Sequence, residues 1–405
     1  MFGLPPKTAR TAPDLPAALV ARISRRRKAR TGKNGNETVR FQKLGMPLRY
    51  GNMTIFGTIS KMQVSSAVLA AAVLAGCVTV KAAEAPLAVT LPDLTSYALV
   101  QTDAGKTAPR LVSAAEAAAV LAAFDVVVIG EAHRNPGNHL AQMALFRELY
   151  ARAPQLSLSM EQLERDVQPI LDDYLADKLG EAPYLEKVRP WNNYASSYRP
   201  LVEFAKEHHL PVIAANTTDE VVRCVGERGP AFLDTLKAPQ RAWAAAELHL
   251  GDGAYRAKFL GFAGGDQGHG GAEKGKDAPK GPSEQMLRGF AAQVTRDDTM
   301  AESIFLHLQK NPGRKVVHMT GYFHAADFLG TVERLQARAP NLKIAVVTPH
   351  EVDGSAPPVL TDANAKGGNF ILLIRAFPEP YITDEEERTA IRKQMAQRAE
   401  KKCAL

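Results

Sequence analysis

Cysteine is scarce in this chain: 405 residues include three, Cys77, Cys224 and Cys403. No Cys-x-x-Cys pair occurs, so neither a thiolate zinc site nor a disulfide-dense scaffold is indicated. Tryptophan occurs twice and aromatic residues make up 7% of the chain. They do not interleave with basic clusters in the body of the sequence, which argues against a nucleic-acid partner. The main apolar run is too short to span a bilayer as a helix. Several signatures are missing altogether. No Gly-x-Gly-x-x-Gly follows a strand, and no phosphate-binding Gly-x-x-x-x-Gly-Lys-[Ser/Thr] occurs. His-Glu-x-x-His and the Gly-x-Ser-x-Gly nucleophile elbow are absent as well.

What remains is an ordinary globular composition, 45% hydrophobic and 23% charged, with a formal charge of +7 and a pI near 9.2. The positive charge is unevenly placed. Residues 1–61 hold thirteen Lys and Arg against Asp14 and Glu37, a net of +11, which leaves −4 for the rest. The body is therefore mildly acidic, and the basic stretch has no persistent helix or strand period. Residues 1–61 read as an upstream extension outside the mature protein, with translation expected to begin at Met46, Met53 or Met62.

Residues 62–76 read as a lipoprotein signal peptide. Lys61 gives a positive flank, "AVLAAAVLA" gives an apolar core, and Leu74-Ala75-Gly76-Cys77 resembles a lipobox. Lipidation of Cys77 would anchor the protein to a membrane without a spanning helix. Val78, where Asp would retain a lipoprotein at the inner membrane, points to the outer membrane, facing the periplasm or the cell surface. Residues 77–94 read as a tether. Cys224 and Cys403 can pair in an oxidising compartment, and nothing in their spacing selects pairing over two free thiols.

Beyond the tether, apolar strands alternate with amphipathic helices. Strands are expected at 125–130, 156–161, 210–216, 315–321 and 343–349. Helices are expected at 113–124, 139–152, 198–209 and 297–309, with Asn138 as the N-cap of the second. The fold class is α/β, a mainly parallel central sheet flanked by helices. Residues 369–377 read as a final edge strand, open to an antiparallel pairing, and "DEEERTAIRKQMAQRAEKK" as a charged, solvated helix. Together they fill 351–405. The second half of the glycine-rich insertion at 251–281 reads as a mobile loop.

In open parallel sheets, ligands bind beyond the carboxyl ends of the strands. Four expected strands each deliver a polar residue at that edge: Glu131 with His133, Glu161, Asn216, and His324. Two of these edges share a spacing, Gly130-x-x-His133 and Gly321-x-x-His324, in which glycine allows a sharp turn off the strand. Imidazole can bind a transition metal or haem iron, or shuttle protons. Taken singly, each residue has a structural alternative. Glu131 can cap amides, Glu161 can sit in an ion pair, and Asn216 with Thr217 and Asp219 can start a helix. Their joint placement at one edge favours a site.

At these residues the sequence resembles the ChaN-like haem-binding uptake lipoproteins of the Tiki superfamily. The resemblance spans residues 95–350. It rests on "VVVIGEAHRNPGNHLAQ", "LSMEQLERDVQPILDDYL", "WNNYASSYRPLVEFAKEHHLPVIAAN", "AAQVTRDDTMAESI" and the second Gly-x-x-His, in that order. It implies a cell-envelope lipoprotein that binds haem for iron acquisition, without turnover. The implied cofactor-binding residues are His133 and His324, with Tyr198, Tyr255 and His269 as further candidates for axial ligation. It leaves room for an outer-membrane haem receptor and for a homodimer as partners. The superfamily also contains metal-dependent hydrolases and peptidases. In that alternative a divalent transition metal sits on His133, His324 and Glu161, and Glu131 activates water. The segment "GYFHAADFLG" departs from the haem-binding group, since Tyr322 and Phe323 replace small residues and His318 adds an imidazole nearby.

Overall fold

The structure, a computed structural model, describes residues 86–263, 281–354 and 356–405. Its elements begin with β1 (Tyr97–Gln101), β2 (Arg110–Val112), α1 (Ala114–Leu121), β3 (Val126–Glu131) and α2 (Pro136–Arg152). Then come β4 (Leu156–Glu164), α3 (Gln168–Leu175), α4 (Glu181–Val188), a π-type turn at Tyr194–Tyr198, and α5 (Arg199–Glu207). They continue with β5 (Val212–Asn216), α6 (Asp219–Arg228), α7 (Ala254–Ala263), α8 (Glu284–Lys310) and β6 (Lys315–Gly321). The last are α9 (Thr331–Arg338), β7 (Ile344–Val352), α10 (Asp362–Lys366), β8 (Phe370–Arg375) and α11 (Asp384–Glu400).

The strands form one sheet in the order β2-β1-β8-β7-β3-β6-β4-β5. Every pair from β8 to β5 is parallel, and β1 runs antiparallel to both β8 and β2. The α/β class read from the sequence is the observed one. The uninterrupted apolar strands explain it, because a parallel sheet is covered on both faces. Val127 and Ile129 of β3 face a cluster with Leu145, Phe146 and Leu149 of α2. Val126 and Val128 face the opposite cluster with Met300, Ala301 and Ile304 of α8.

Local signals set the helix starts. Ser113 and Glu116 form a capping box at α1. The start of α2 corrects the sequence reading: the N-cap is Asn135, whose side chain accepts from the Asn138 N–H at 3.1 Å, and Pro136 occupies the first turn. Asn138 lies inside the helix and accepts the Ala132 N–H instead, tying α2 to the end of β3.

The expected edge strand is also corrected. β8 is internal, parallel to β7 and antiparallel to β1. The hairpin β1–β2, unassigned in the sequence reading, covers it, and the true edges are β2 and β5. α8 begins at Glu284, thirteen residues before the expected start, capped by Ser283. The first half of the glycine-rich insertion contains α7. The expected mobile loop falls at 264–280, outside the described residues, as do residues 1–85 with the expected signal peptide and Cys77. Cys224 of α6 is disulfide-bonded to Cys403, with Cα atoms 4.7 Å apart. Among the described residues no helix is long and apolar enough to cross a membrane.

Candidate functional site

The carboxyl ends of β3, β4 and β6 bring four of the expected residues together. Glu131 closes β3 and is fully buried. Its Oε1 accepts from Tyr198 Oη at 2.6 Å and His133 Nδ1 at 2.8 Å, and its Oε2 accepts from Gln142 Nε2 at 2.9 Å. Gln162 Nε2 reaches Oε1 at 3.3 Å. A buried carboxylate is tolerated only when its oxygens are this well supplied with donors. His133 stands edge-on to the indole of Trp191.

A second array begins at Glu161 on β4. Its Oε2 accepts from Thr320 Oγ1 at 2.7 Å and the Gly321 N–H at 2.6 Å, and its Oε1 lies 3.5 Å from His324 Nε2. The other ring nitrogen of His324 is 2.7 Å from Asp297 Oδ1. Asp297, on α8, also accepts from Thr331 Oγ1 at 2.9 Å and from Tyr255 Oη at 2.6 Å. Both Gly-x-x-His imidazoles are thus oriented through Nδ1 by a carboxylate that a buried tyrosine in turn holds. Gly321 lies between the two arrays, and a Cβ there would stand 2.9 Å from the tip of the His133 ring, which would have to shift.

The electrostatics follow from this packing. Burial alone would push Glu161 up, but His324, His133 and the Gly321 N–H together hold its pKa down at about 2. Burial opposes a charge on His324, and Asp297 and Glu161 overcome it, so its pKa is raised. Burial likewise opposes a charge on His133, and the hydrogen bond to Glu131 with the charge of Glu161 raises its pKa. Burial and then the neighbouring carboxylates push the phenols of Tyr198 and Tyr255 far upward. His318, fully enclosed, is pushed down to about 4, mainly by burial.

The expected residues therefore take distinct positions. The side chain of His133 is 48% exposed, whereas that of His324 is 8% exposed. Tyr198 and Tyr255 are buried, and their hydroxyls are given to Glu131 and Asp297. Asn216 joins the edge by donating from Nδ2 to the Glu161 carbonyl at 3.1 Å. His269 lies outside the described residues. Sequence reasoning missed Asp297, Gln142, Gln162 and Gln293 of α8, whose Nε2 donates to Tyr255 Oη at 3.1 Å and lies 3.3 Å from His324 Nδ1. Asp297 carried the best signal, an acidic residue within the amphipathic stretch "RDDTMAES" that reads as helix.

A cavity of about 430 Å³ opens beside the exposed face of His133, lined by Ala132, His133, Tyr322, Pro349, His350 and Glu351. A neighbouring cavity of about 590 Å³ shares Tyr322 and adds Lys258, Phe262 and Phe323. Another cavity, about 920 Å³, runs along the outer edge of β5, and none of the site residues lines it. The donors His133, His324 and Glu161 do not close into a preformed metal tripod. Among the described residues the one group of three whose ligand atoms lie within 4.8 Å of one another is Glu220, Cys224 and Cys403. Two of those are spent in the disulfide.

Fold and site define an α/β protein with paired imidazole–carboxylate arrays at the carboxyl edge of a parallel sheet. More narrowly, the chain belongs to the family described as haem-binding uptake, Tiki superfamily, ChaN, whose model matches residues 117–335. Among solved structures it is similar to ChaN of Campylobacter jejuni, described with cofacial heme binding. That match has 14% identity over 69% of this chain and 98% of that one, with a TM-score of 0.48. It is also similar to the type III effector HopBA1, at 10% identity over 65% of this chain and 94% of that one, TM-score 0.36. A mutant of the erythromycin esterase EreC in its open conformation has 12% identity over 73% of this chain and 87% of that one, TM-score 0.36. No curated protein matches the chain.

Proposed function

We propose that this protein is a haem-binding cell-envelope lipoprotein acting in haem and iron acquisition. Family membership supports the haem, and the observation that carries the reading is His133. Its Nδ1 is engaged by a buried carboxylate, its side chain is half exposed, and it borders a cavity. An imidazole that gives its Nδ1 proton to a carboxylate keeps the Nε2 lone pair for a metal, the usual arrangement of a ligating histidine. His324 faces a carboxylate at each ring nitrogen, which suits holding a proton. Tyr198 and Tyr255 serve here as supports of Glu131 and Asp297. Bound haem would supply an iron centre with axial positions for side-chain donors.

The lipobox at Cys77 supports membrane anchoring, with the outer membrane as destination and an outer-membrane haem receptor as partner. The Cys224–Cys403 bridge is consistent with an oxidising compartment. The test is titration of the purified chain with hemin. A Soret band that saturates at micromolar hemin is expected, and an unperturbed hemin spectrum would overturn the reading. Labelling with radioactive palmitate in a bacterial host checks the anchor: label should enter the wild type and be lost in Cys77→Ser.

A second reading, acid–base hydrolysis, is favoured by one observation. The buried Asp297–His324–Glu161 array, with Glu161 held ionised, is more elaborate than an axial ligand requires. It expects turnover of p-nitrophenyl esters that His324→Ala abolishes. Equal rates in the two proteins would remove it.

A further inference from the structure

The tail that follows α11 is held on α6 by more than its disulfide. The Cys403 N–H donates to Glu227 Oε1 at 2.9 Å, and the Ala404 N–H donates to Glu220 Oε1 at 2.5 Å. Arg228 Nη1 donates to the Leu405 carbonyl at 3.4 Å. Cys403 and Leu405, both half-buried, also pack against the apolar cluster that contains Val221, Cys224, Val225 and Phe232. None of these contacts passes through the sulfur–sulfur bond. Opening that bond therefore leaves the two thiols gathered over α6.

Glu220 completes the group. It precedes Cys224 by four residues on α6, so the two side chains share one helix face. Its Oε2 is paired with Arg223 Nη1 at 2.5 Å, and its Oε1 lies 3.7 Å from Cys224 Sγ. A donor atom from each of Glu220, Cys224 and Cys403 lies within 4.8 Å of the other two. A metal between the sulfurs needs them to part beyond bonding distance. Cys224 is enclosed in the helix and stays, whereas Cys403 sits on the half-buried tail and can give. Two thiolates and a carboxylate crowded together repel one another unless a cation stands among them. Two soft donors, one oxygen and an open fourth position suit Zn²⁺, whereas Ca²⁺ and Mg²⁺ take oxygen ligands.

We propose that the reduced thiols of Cys224 and Cys403, together with Glu220, form a zinc site, so that disulfide and metal are alternative states of one locus. Opening the bridge takes a dithiol reductant, which gives two electrons and two protons to the sulfurs and is itself oxidised to a disulfide. Zinc then replaces the two thiol protons, which pass to solvent. The locus shares no residue with the His133 and His324 arrays, so it is independent of the haem reading.

The experiment uses the full chain carrying Cys77→Ser, so that every thiolate signal reports this pair. The protein is reduced with a phosphine and titrated with cobalt(II), with zinc as competitor. A thiolate-to-cobalt charge-transfer band should appear, saturate at a single equivalent and vanish when zinc is added. The unreduced chain should give no such band. Glu220→Gln, which keeps both cysteines, should bind cobalt at least about tenfold more weakly. Cys403→Ser should lose the greater part of the band. Near-ultraviolet circular dichroism follows the fold throughout. A folded, reduced chain without the band overturns the site, as does equal affinity in Glu220→Gln and its parent. Loss of the fold on reduction that zinc does not reverse overturns it as well, because the donor set depends on the tail staying docked.

Discussion

Gly321 separates the two halves of the site, and its missing side chain sets what a single substitution can do. A Cβ at this position would meet the tip of the His133 ring at 2.9 Å and Glu161 Oε2 at 3.6 Å. The ring tip is half exposed and can swing away, so Gly321→Ala should cost little stability, under ~1 kcal/mol. It should nevertheless weaken hemin binding by moving the imidazole. A parallel fall in unfolding midpoint and affinity would contradict this separation. His318 carries a second expectation at this scale. Its ring is enclosed, with one nitrogen 3.0 Å from Ser159 Oγ and the other unpartnered. Burial lowers its pKa from 6.5 to about 4, so the folded state takes this proton less readily than the unfolded chain. The associated stability is complete above pH 6.5 and is lost as pH falls towards 4, by roughly 3 kcal/mol. Glu161, held at about 2, adds a loss only below its ordinary 4.5. His133 and His324, both raised, act in the opposite sense, contributing below 6.5 and losing that share at higher pH. Urea midpoints between pH 6.5 and 4 should fall less steeply in His318→Leu than in wild type. Equal slopes would contradict the assignment.

At the scale of elements, legibility tracked the kind of burial each strand experiences. β3, β6 and β7 are enclosed on both faces, read as continuous apolar runs, and match their expected spans within a few residues. The hairpin β1–β2 does not, because Tyr97–Gln101 is a short strand of mixed burial and Arg110–Val112 has three residues. Without that hairpin, β8 reads as an edge strand. The site is legible where it sits at strand ends: Glu131, His133, Glu161 and His324 all stand at or just past the end of an apolar run. It is illegible where it sits on helices. Asp297, Gln142 and Gln293 occupy the inward faces of α2 and α8, where helical spacing can mark a polar residue as inward but not which partner it meets. His350 is hidden for another reason. It lies within β7 by sequence and becomes part of the edge only because β7 outruns β3.

For the whole molecule, the disulfide is the long-range constraint. It joins residues 179 positions apart and fixes the end of the chain to α6, where the Cys403 N–H also donates to Glu227 Oε1 at 2.9 Å. Cys403→Ser should lower stability by about 2–4 kcal/mol through the unfolded chain it no longer restricts. Hemin affinity should be unchanged, because no residue of the His133 cavity belongs to α6 or the tail. Urea unfolding without reductant checks the first, and equal midpoints in variant and wild type would contradict it.

The central claim is a division of labour between two imidazoles that share one sequence spacing. His133 borders the cavity and is the proposed cofactor ligand, whereas His324 is enclosed between Asp297 and Glu161. Hemin titrations of His133→Ala and His324→Ala, followed side by side at the Soret band, test it directly. The expected result is a large loss of affinity in His133→Ala with near-wild-type binding in His324→Ala. The reverse order, or equal loss in both, would contradict it.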